Sequence, residues 1–312
     1  MKDRVFAAAD VGGTKILLLL AGPQRDLILR RRLFTPPKAT PDQVVEVIAG
    51  ALTGFLEEAG LSPQSLAGLG VCIAALLDFE SGVIYESPNL DWHEPVPFRE
   101  LLAERFSCPV FLENDCNAAI LGEASYGAAR GHRDAAYITI STGIGAGLYL
   151  DGRVYRGSGG FAGEIGHLKR FGKGRRCGCG GYDCLEAWAS GKGIARSAGM
   201  LWGEGDPGAG TLDTAAVFDR AEAGDPLAGS IIEQAVEDIG ISLANLATLL
   251  NLSCMVIGGG VARHRPGLVG QIEEKVNYFA VPPAVRVTRV KVVAAALEPE
   301  AGAWGMYAAM RR

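Results

Sequence analysis

The sequence has no apolar run that approaches the 18 or so residues needed to cross a bilayer, and a strand pattern, not a signal peptide, opens the chain. Basic residues are also few, since 30 Lys and Arg stand against 35 Asp and Glu in 312 residues, for a net charge of -5. Proteins that bind nucleic acids usually show a basic excess. We therefore expect neither a membrane protein nor a nucleic-acid-binding protein.

A disulfide framework is missing as well. Four of the seven cysteines, namely Cys72, Cys108, Cys116 and Cys254, lie in apolar or mixed segments and do not pair by their spacing. Reduced thiols are typical of cytosolic proteins. We therefore expect a cytoplasmic location.

The other three cysteines belong to the most informative stretch of the chain. His167, Cys177, Cys179 and Cys184 fall within 18 residues, and thiolates with an imidazole are the ligands of a closed tetrahedral zinc site. Such a site folds a loop and does not activate water. The alternative is three reduced core cysteines beside a loop histidine, but cysteines at this spacing favour a structural Zn²⁺.

Two carboxylates, Glu164 and Glu186, flank this stretch. We expect the zinc loop to hold both near His167, facing one cavity. Carboxylates fixed in this way can accept hydrogen bonds from a polyol.

Two turns rich in glycine and hydroxyl groups lie between apolar strands. The first turn contains Asp10, Gly12, Gly13, Thr14 and Lys15, and the second contains Thr142 and Gly143. Their backbone N–H groups and hydroxyls suit a phosphate, and Asp10 suits a hydrated Mg²⁺. An ordinary hairpin turn is the alternative. The two turns suggest duplicated units that each present one phosphate-contacting hairpin to a shared cleft.

A third glycine segment, Gly258, Gly259 and Gly260, lies between a predicted strand and a predicted helix. Three glycines there allow a nucleotide to lie on the backbone. A bare strand-to-helix turn is the alternative.

Asn114 and Asp115 sit at another strand-to-helix junction. Asp115 can be the N-cap of the following helix. It can equally be a general base that takes a proton from a sugar hydroxyl. The residue types alone leave both interpretations open.

The remaining patterns predict alternating strands and helices. Thr40 is a plausible N-cap for a helix that runs to about Ala59, and a helix follows Asp115 from Ala118. Residues 75–95, which include Asn89, are predicted to be irregular, and residues 182–251 mostly helical. The last helix is predicted for Ala301 to Met310.

Together these motifs resemble the ROK family of sugar kinases and related repressors. The resemblance covers nearly the whole chain, and the segment from Ile140 through the glycines at 143–147 to His167 is similar to the family signature. It implies an α/β, two-domain actin-like ATPase fold of the hexokinase type, which is ribonuclease H-like, with a cleft between the domains. We expect a small domain over 1–117 plus a C-terminal helix over 300–312, and a large domain over 118–299.

The resemblance also implies roles for residues. Asp115 would be the catalytic base. The sugar would contact Asn89, Asn114, Asp115, Glu164, His167 and Glu186. ATP with Mg²⁺ would be held by Asp10, Gly12, Gly13, Thr14, Lys15, Thr142, Gly143, Gly258, Gly259 and Gly260. Zinc would be held by His167, Cys177, Cys179 and Cys184.

The activity that this implies is ATP-dependent phosphorylation of a hexose, with glucose converted to glucose 6-phosphate as the first expectation. An N-acylhexosamine kinase (for N-acetylmannosamine or N-acetylglucosamine) and a fructokinase are alternatives, and a sugar-binding regulator without turnover is an alternative of another class. The family's repressors carry an N-terminal winged helix-turn-helix, for which there is no room before Asp10, so a kinase is expected. The resemblance further implies a homodimer or homotetramer.

Two positions depart from the family pattern. A Gly/Pro-rich turn is usual where this chain has residues 73–78, which affects a local sugar contact. An Asp usually precedes the Ala-Gly pair at 301–302, where this chain has Glu300.

Overall fold

The computed structural model describes residues 4–170, 174–202, 213–265 and 267–312. Its strands are β1 (Val5–Val11), β2 (Lys15–Ala21), β3 (Leu27–Phe34), β4 (Leu66–Ile73), β5 (Leu76–Leu77), β6 (Ile84–Glu86), β7 (Val110–Asn114), β8 (Ala135–Ile140), β9 (Ile144–Leu150), β10 (Arg153–Tyr155), β11 (Cys254–Gly258) and β12 (Lys291–Ala294). Its α-helices are α1 (Pro41–Glu58), α2 (Phe98–Arg105), α3 (Asp115–Tyr126), α4 (Leu185–Ala189), α5 (Gly191–Trp202), α6 (Thr214–Glu222), α7 (Pro226–Leu250), α8 (Gly260–His264), α9 (Gly267–Phe279) and α10 (Ala301–Ala309). Among the described residues, no helix is both long and apolar enough to cross a membrane.

The strands form two five-stranded sheets of the same design. Their orders are β3-β2-β1-β4-β7 and β10-β9-β8-β11-β12. In the first sheet β1 pairs antiparallel with β2 and parallel with β4, and in the second β8 pairs in the same two ways with β9 and β11. This repetition agrees with the duplicated units that the two glycine turns suggest.

Helix α1 shows how local sequence positions the elements. The Thr40 hydroxyl accepts the Gln43 N–H at 3.3 Å and the Gln43 side chain accepts the Thr40 N–H at 2.9 Å, which completes a capping box. Val44, Ile48 and Leu52 then recur at helical spacing and are fully or almost fully buried in the core of the first sheet. The predicted start of this helix is confirmed.

Helices α3 and α10 pack backbone against backbone. A Cβ on Gly305 would lie 1.7 Å from the Ala118 carbonyl oxygen, and one on Gly122 would lie 2.4 Å from that of Ala301. Because only glycine allows this approach, the C-terminal helix is fixed beside the helix that begins at Asp115. The first sheet lies within residues 5–114 and the second within 135–294. The division into domains at 117/118 stays a prediction.

Two secondary-structure predictions are wrong. Residues 75–95 are not wholly irregular, because β5 and β6 form an antiparallel pair within them. The helix predicted from Ala118 begins at Asp115, because the Asn114 side chain caps it. Of the segment predicted to be mostly helical, residues 203–212 lie outside the described part of the chain.

Candidate active site

A cavity of about 200 Å³ lies between the two sheets. The ends of β1, β8 and β11, the start of α3 and the segment before α10 contribute its walls. The lining residues are Asp10, Asp115, Cys116, Ala119, Tyr137, Thr139, Ser141, Gly259, Gly260, Glu298, Pro299, Ala301 and Gly302. Three of them are carboxylates that come from distant parts of the sequence.

Asp115 is one of these carboxylates, and it is not the helix cap. The cap is Asn114, whose side-chain oxygen accepts the N–H groups of Cys116 at 2.9 Å and Asn117 at 3.1 Å. Interpreting Asp115 as the N-cap is therefore wrong, since Asn114 already occupies that position. Burial raises the pKa of Asp115 above its ordinary value. A carboxylate with a raised pKa at a cavity wall has the properties of a general base.

Asp10, at the end of β1, shares the cavity. Burial, followed by the nearby charges of Asp115 and Glu298, raises the pKa of Asp10 to about 7. Repulsion among three carboxylates in one small cavity would be relieved by a cation. Because carboxylate oxygens are the ligands that Mg²⁺ prefers, this donor set fits a magnesium ion.

Glu298 and Ser141 line the cavity although neither was predicted. Glu298 accepts the N–H of Gly259 at 3.1 Å and the hydroxyl of Tyr137. A signal for Ser141 existed, because Tyr137 and Thr139 share one face of β8 and Ser141, just past the end of the strand, continues the same spacing. Glu298 had no local signal, since tertiary folding alone brings it to Asp10.

Glu300, where the chain departs from the family pattern, is engaged elsewhere. Its carboxylate pairs with Arg30 on β3 and accepts the Trp304 indole N–H at 3.1 Å. Glu300 is not among the described residues that line the cavity.

The Gly258–Gly260 turn meets the cavity through Gly259 and Gly260. Gly259 has a φ of +92°, and a Cβ there would lie 2.5 Å from the Ile140 carbonyl oxygen. Only glycine suits that position. The turn therefore brings its backbone close to the end of β8, as a nucleotide-binding turn requires.

Of the two predicted phosphate turns, only Asp10 of the first turn is part of the cavity lining. In the first turn a Cβ on Gly13 would be 2.4 Å from the Asn89 carbonyl oxygen, so this turn packs on the Asn89 backbone. Thr14, Lys15 and Thr142 are exposed. Of the predicted ATP-binding residues, the structure brings together Asp10, Gly259 and Gly260 at the cavity. It leaves Gly12, Gly13, Thr14, Lys15, Thr142, Gly143 and Gly258 outside the described lining.

The predicted metal ligands converge. One ligand atom from each of His167, Cys177, Cys179 and Cys184 lies within 4.8 Å of all the others. The Cys179 and Cys184 sulfurs are 3.7 Å apart, and the Cys177 sulfur is 3.9 Å from His167 Nδ1. Two sulfurs on one zinc lie about 3.8 Å apart when each Zn–S bond is about 2.3 Å. The cluster therefore fits a tetrahedral metal ion.

His167 uses its two nitrogens for different neighbours. Nδ1 faces Cys177, and Nε2 lies 3.8 Å from a carboxylate oxygen of Glu164. The imidazole of His167 can thus bind a metal ion with Nδ1 while Nε2 faces Glu164, one of the predicted sugar contacts.

Glu164 lies close enough to both Asp115 and Glu186 to interact with their charges. Partial burial raises the pKa of Glu164, His167 opposes that shift, and the charges of Asp115 and Glu186 add to it. These interactions place the three carboxylates near one another. The predicted sugar contacts Asp115, Glu164, His167 and Glu186 therefore converge, whereas Asn89 is exposed behind the first glycine turn.

Glu186 also braces the second glycine turn. One carboxylate oxygen accepts the Ile144 N–H at 3.0 Å, and the other lies 4.0 Å from the Cys177 sulfur. The helix that follows the metal cluster is thereby tied to the β8–β9 turn.

Two sheets of repeated topology around a cleft lined with carboxylates define an α/β protein of the actin-like ATPase fold. The chain belongs to the ROK family, whose model matches residues 6–312.

Three relatives are similar to this chain over most of their length. A glucokinase from Halalkalibacterium halodurans is 33% identical over 90% of this chain and 88% of its own. The crystal structure of a ROK hexokinase from Thermus thermophilus is 34% identical, covers 98% of both chains and has a TM-score of 0.81. A ROK family glucokinase from Streptomyces griseus, solved with glucose and AMPPNP, is 30% identical, covers 97% of both chains and has a TM-score of 0.76.

Proposed function

We propose that this protein is an ATP-dependent hexokinase that phosphorylates the 6-hydroxyl of glucose. The observation that carries the proposal is the cavity in which Asp115 lies beside Asp10 and the Gly259 turn, with Glu164 and Glu186 nearby. That cavity combines a base, a cation site and a nucleotide turn. The similarity to glucokinases over most of the chain supports glucose as the acceptor.

In the proposed reaction, Asp115 removes the proton of the sugar hydroxyl as its oxygen attacks the terminal phosphorus of ATP. Asn114 holds Asp115 in place by capping α3, and its amide donates to the Ala75 carbonyl at 3.3 Å. Glu164, His167 and Glu186 form hydrogen bonds with the hydroxyls of the sugar and thereby fix the orientation of its ring. Closure of the cleft excludes water, which would otherwise compete as the acceptor.

On the nucleotide side, Asp10 would hold Mg²⁺, with Glu298 close by, and the Gly259–Gly260 backbone would lie against ATP. When bound, the cation neutralises charge on the phosphoryl group in transfer. The Gly12–Thr14 and Thr142–Gly143 turns would reach the phosphates from the two sheets. A Cβ on Gly143 would lie 2.4 Å from a Glu186 carboxylate oxygen, so a larger residue there would displace the Glu186 side chain.

The metal cluster is proposed to hold one structural Zn²⁺. Three thiolates and one imidazole match zinc in softness and number. Lys169 contacts the Cys184 sulfur at 3.0 Å and would stabilise the thiolate charge. Because Glu164 and Glu186 lie on either side of the cluster in sequence, the ion would order the segment that carries both. A cytoplasmic location and a homodimer or homotetramer complete the proposal.

A panel of hexoses with ATP, followed by coupled detection of ADP release, tests the choice of sugar. We expect kcat/KM to be highest for glucose, ahead of N-acetylmannosamine, N-acetylglucosamine and fructose. A higher kcat/KM for an N-acylhexosamine or for fructose would identify that sugar, and not glucose, as the preferred substrate. Tight sugar binding without ADP release would instead identify a regulator.

Glu186→Gln is expected to raise the KM for glucose about tenfold to a hundredfold, because a hydrogen bond to a charged acceptor contributes about 1.5–3 kcal/mol when desolvated. The KM for ATP should barely change, since Glu186 lies on the metal-cluster side. Steady-state kinetics with glucose, mannose and N-acetylmannosamine at saturating ATP would measure this. A uniform loss of kcat with every sugar KM unchanged would show that Glu186 only braces Ile144 and the metal loop.

A further inference from the structure

An ion pair that no sequence motif predicts bridges the two sheets. Arg156 follows β10, and its guanidinium donates to one Glu113 oxygen from Nε at 2.9 Å and from Nη2 at 2.5 Å. Glu113 is at the end of β7 and its side chain is only 5% exposed. Because β7 belongs to the first sheet and β10 to the second, this pair joins the two halves of the cleft.

The second oxygen of Glu113 holds the segment that carries Asp115. It accepts the Asn114 N–H at 3.0 Å and the Asn117 side-chain amide at 3.2 Å. These two residues flank Asp115 at the start of α3. Glu113 therefore connects Arg156 directly to the structure that sets the position of the base.

On its other side Arg156 anchors the segment that leads to Glu164. Its carbonyl accepts the Ala162 N–H at 3.0 Å, which closes a loop over residues 157–162. The Gly163 carbonyl accepts the Ala146 N–H at 3.1 Å, and Glu164 comes next. A displaced Arg156 would shift this loop and the sugar-facing carboxylate after it.

An aromatic ring covers the ion pair. The Arg156 guanidinium lies 3.7 Å from the centroid of Phe79, in the β5–β6 connection. Tyr85 of β6 also meets Phe161 of the loop, with ring centroids 6.2 Å apart. This small sheet stands where the chain departs from the family's usual turn, so the cover is built by this chain's own hairpin.

We propose that Arg156 is a positioning residue that sets the distance between the base Asp115 and the sugar contact Glu164. The inference rests on the proposed function and deepens it. Arginine suits the task because a planar fork can bind a carboxylate while its face stacks on a ring. Because the Glu113 side chain is buried, loss of Arg156 would leave an uncompensated buried charge, which is costly.

Steady-state kinetics of Arg156→Gln, Arg156→Lys and Phe79→Leu test the inference, with Arg153→Gln on β10, the strand that Arg156 follows, as the control. We expect Arg156→Gln to lower kcat/KM for glucose about 10²-fold, the size of loss that follows from a misplacement of about 1 Å. The KM for ATP should stay within about twofold of the wild-type value, because Gly259 and Asp10 do not contact this pair. Arg156→Lys keeps the charge but not the fork, so its loss should be smaller.

A double-mutant cycle with Glu113→Gln separates positioning from general loss of stability. If the pair acts as one unit, Glu113→Gln with Arg156→Gln should lose no more activity than the worse single variant. Losses that multiply would overturn the inference, as would Arg156→Gln kinetics equal to those of Arg153→Gln. If Arg156→Gln fails to fold, an unchanged kcat/KM for glucose in both Arg156→Lys and Phe79→Leu overturns it. A wild-type protein that phosphorylates no hexose would overturn the proposed function as well.

Discussion

Asp115→Asn should reduce kcat for glucose phosphorylation by on the order of 10²-fold or more, while glucose binding measured by calorimetry stays close to normal. The substitution keeps the shape of the side chain and its hydrogen bond to the Cys116 N–H, and Asn114 still caps α3. Only the basicity is lost. The effect should therefore appear in turnover and not in affinity.

The pH dependence of this variant adds a second readout. The base must be deprotonated, and burial raises its pKa, so wild-type turnover should fall as the pH decreases through that raised pKa. Residual turnover of Asp115→Asn should lack this acidic limb. Asp42→Asn, an exposed first-turn substitution in α1, is the matched control and should behave as wild type. Near-normal turnover of Asp115→Asn would show that Asp115 is not the general base.

Cys177→Ser should abolish binding of the metal ion and raise the KM for glucose, both in the same variant. Loss of one ligand breaks the tetrahedral set, and the binding free energy of a structural zinc is also folding free energy for its loop. The segment that carries Glu164 and Glu186 would then loosen. Metal analysis of untagged protein purified without chelator should find about one zinc per wild-type chain and much less per variant chain.

Cys108→Ser is the control for this experiment, because Cys108 is a half-buried cysteine outside the cluster. It should keep its metal and its activity. Wild-type protein that is free of metal and fully active would refute the zinc proposal. Metal loss in Cys177→Ser with an unchanged KM for glucose would show that the metal ion does not order the sugar-binding residues.

The sequence predicted elements whose signals are local. The Thr40 N-cap, the β1–β2 hairpin and the Cys-His spacing each depend on residues close in the chain, and the structure contains the helix, the hairpin and the cluster. The choice between cap and base for Asp115 needed the fold, because Asn and Asp cap almost equally well and stand one residue apart. The structure assigns the cap to Asn114.

What the sequence missed depends on contacts between distant segments. Strands β5 and β6 have two and three residues, too few to show a periodicity. Glu298 meets Asp10 in the cavity, and Glu113 meets Arg156 across the two sheets. Neither pair leaves a local pattern, because each forms only when segments far apart in sequence reach the same cleft.

Phosphorus NMR of the products of a reaction with glucose and ATP tests most directly whether Asp115 and its cavity transfer phosphate from ATP to a sugar hydroxyl. We expect glucose 6-phosphate in equal amounts with ADP, and almost none from the Asp115→Asn protein. ADP that accumulates with inorganic phosphate and no sugar phosphate, for every hexose tried, would contradict this expectation.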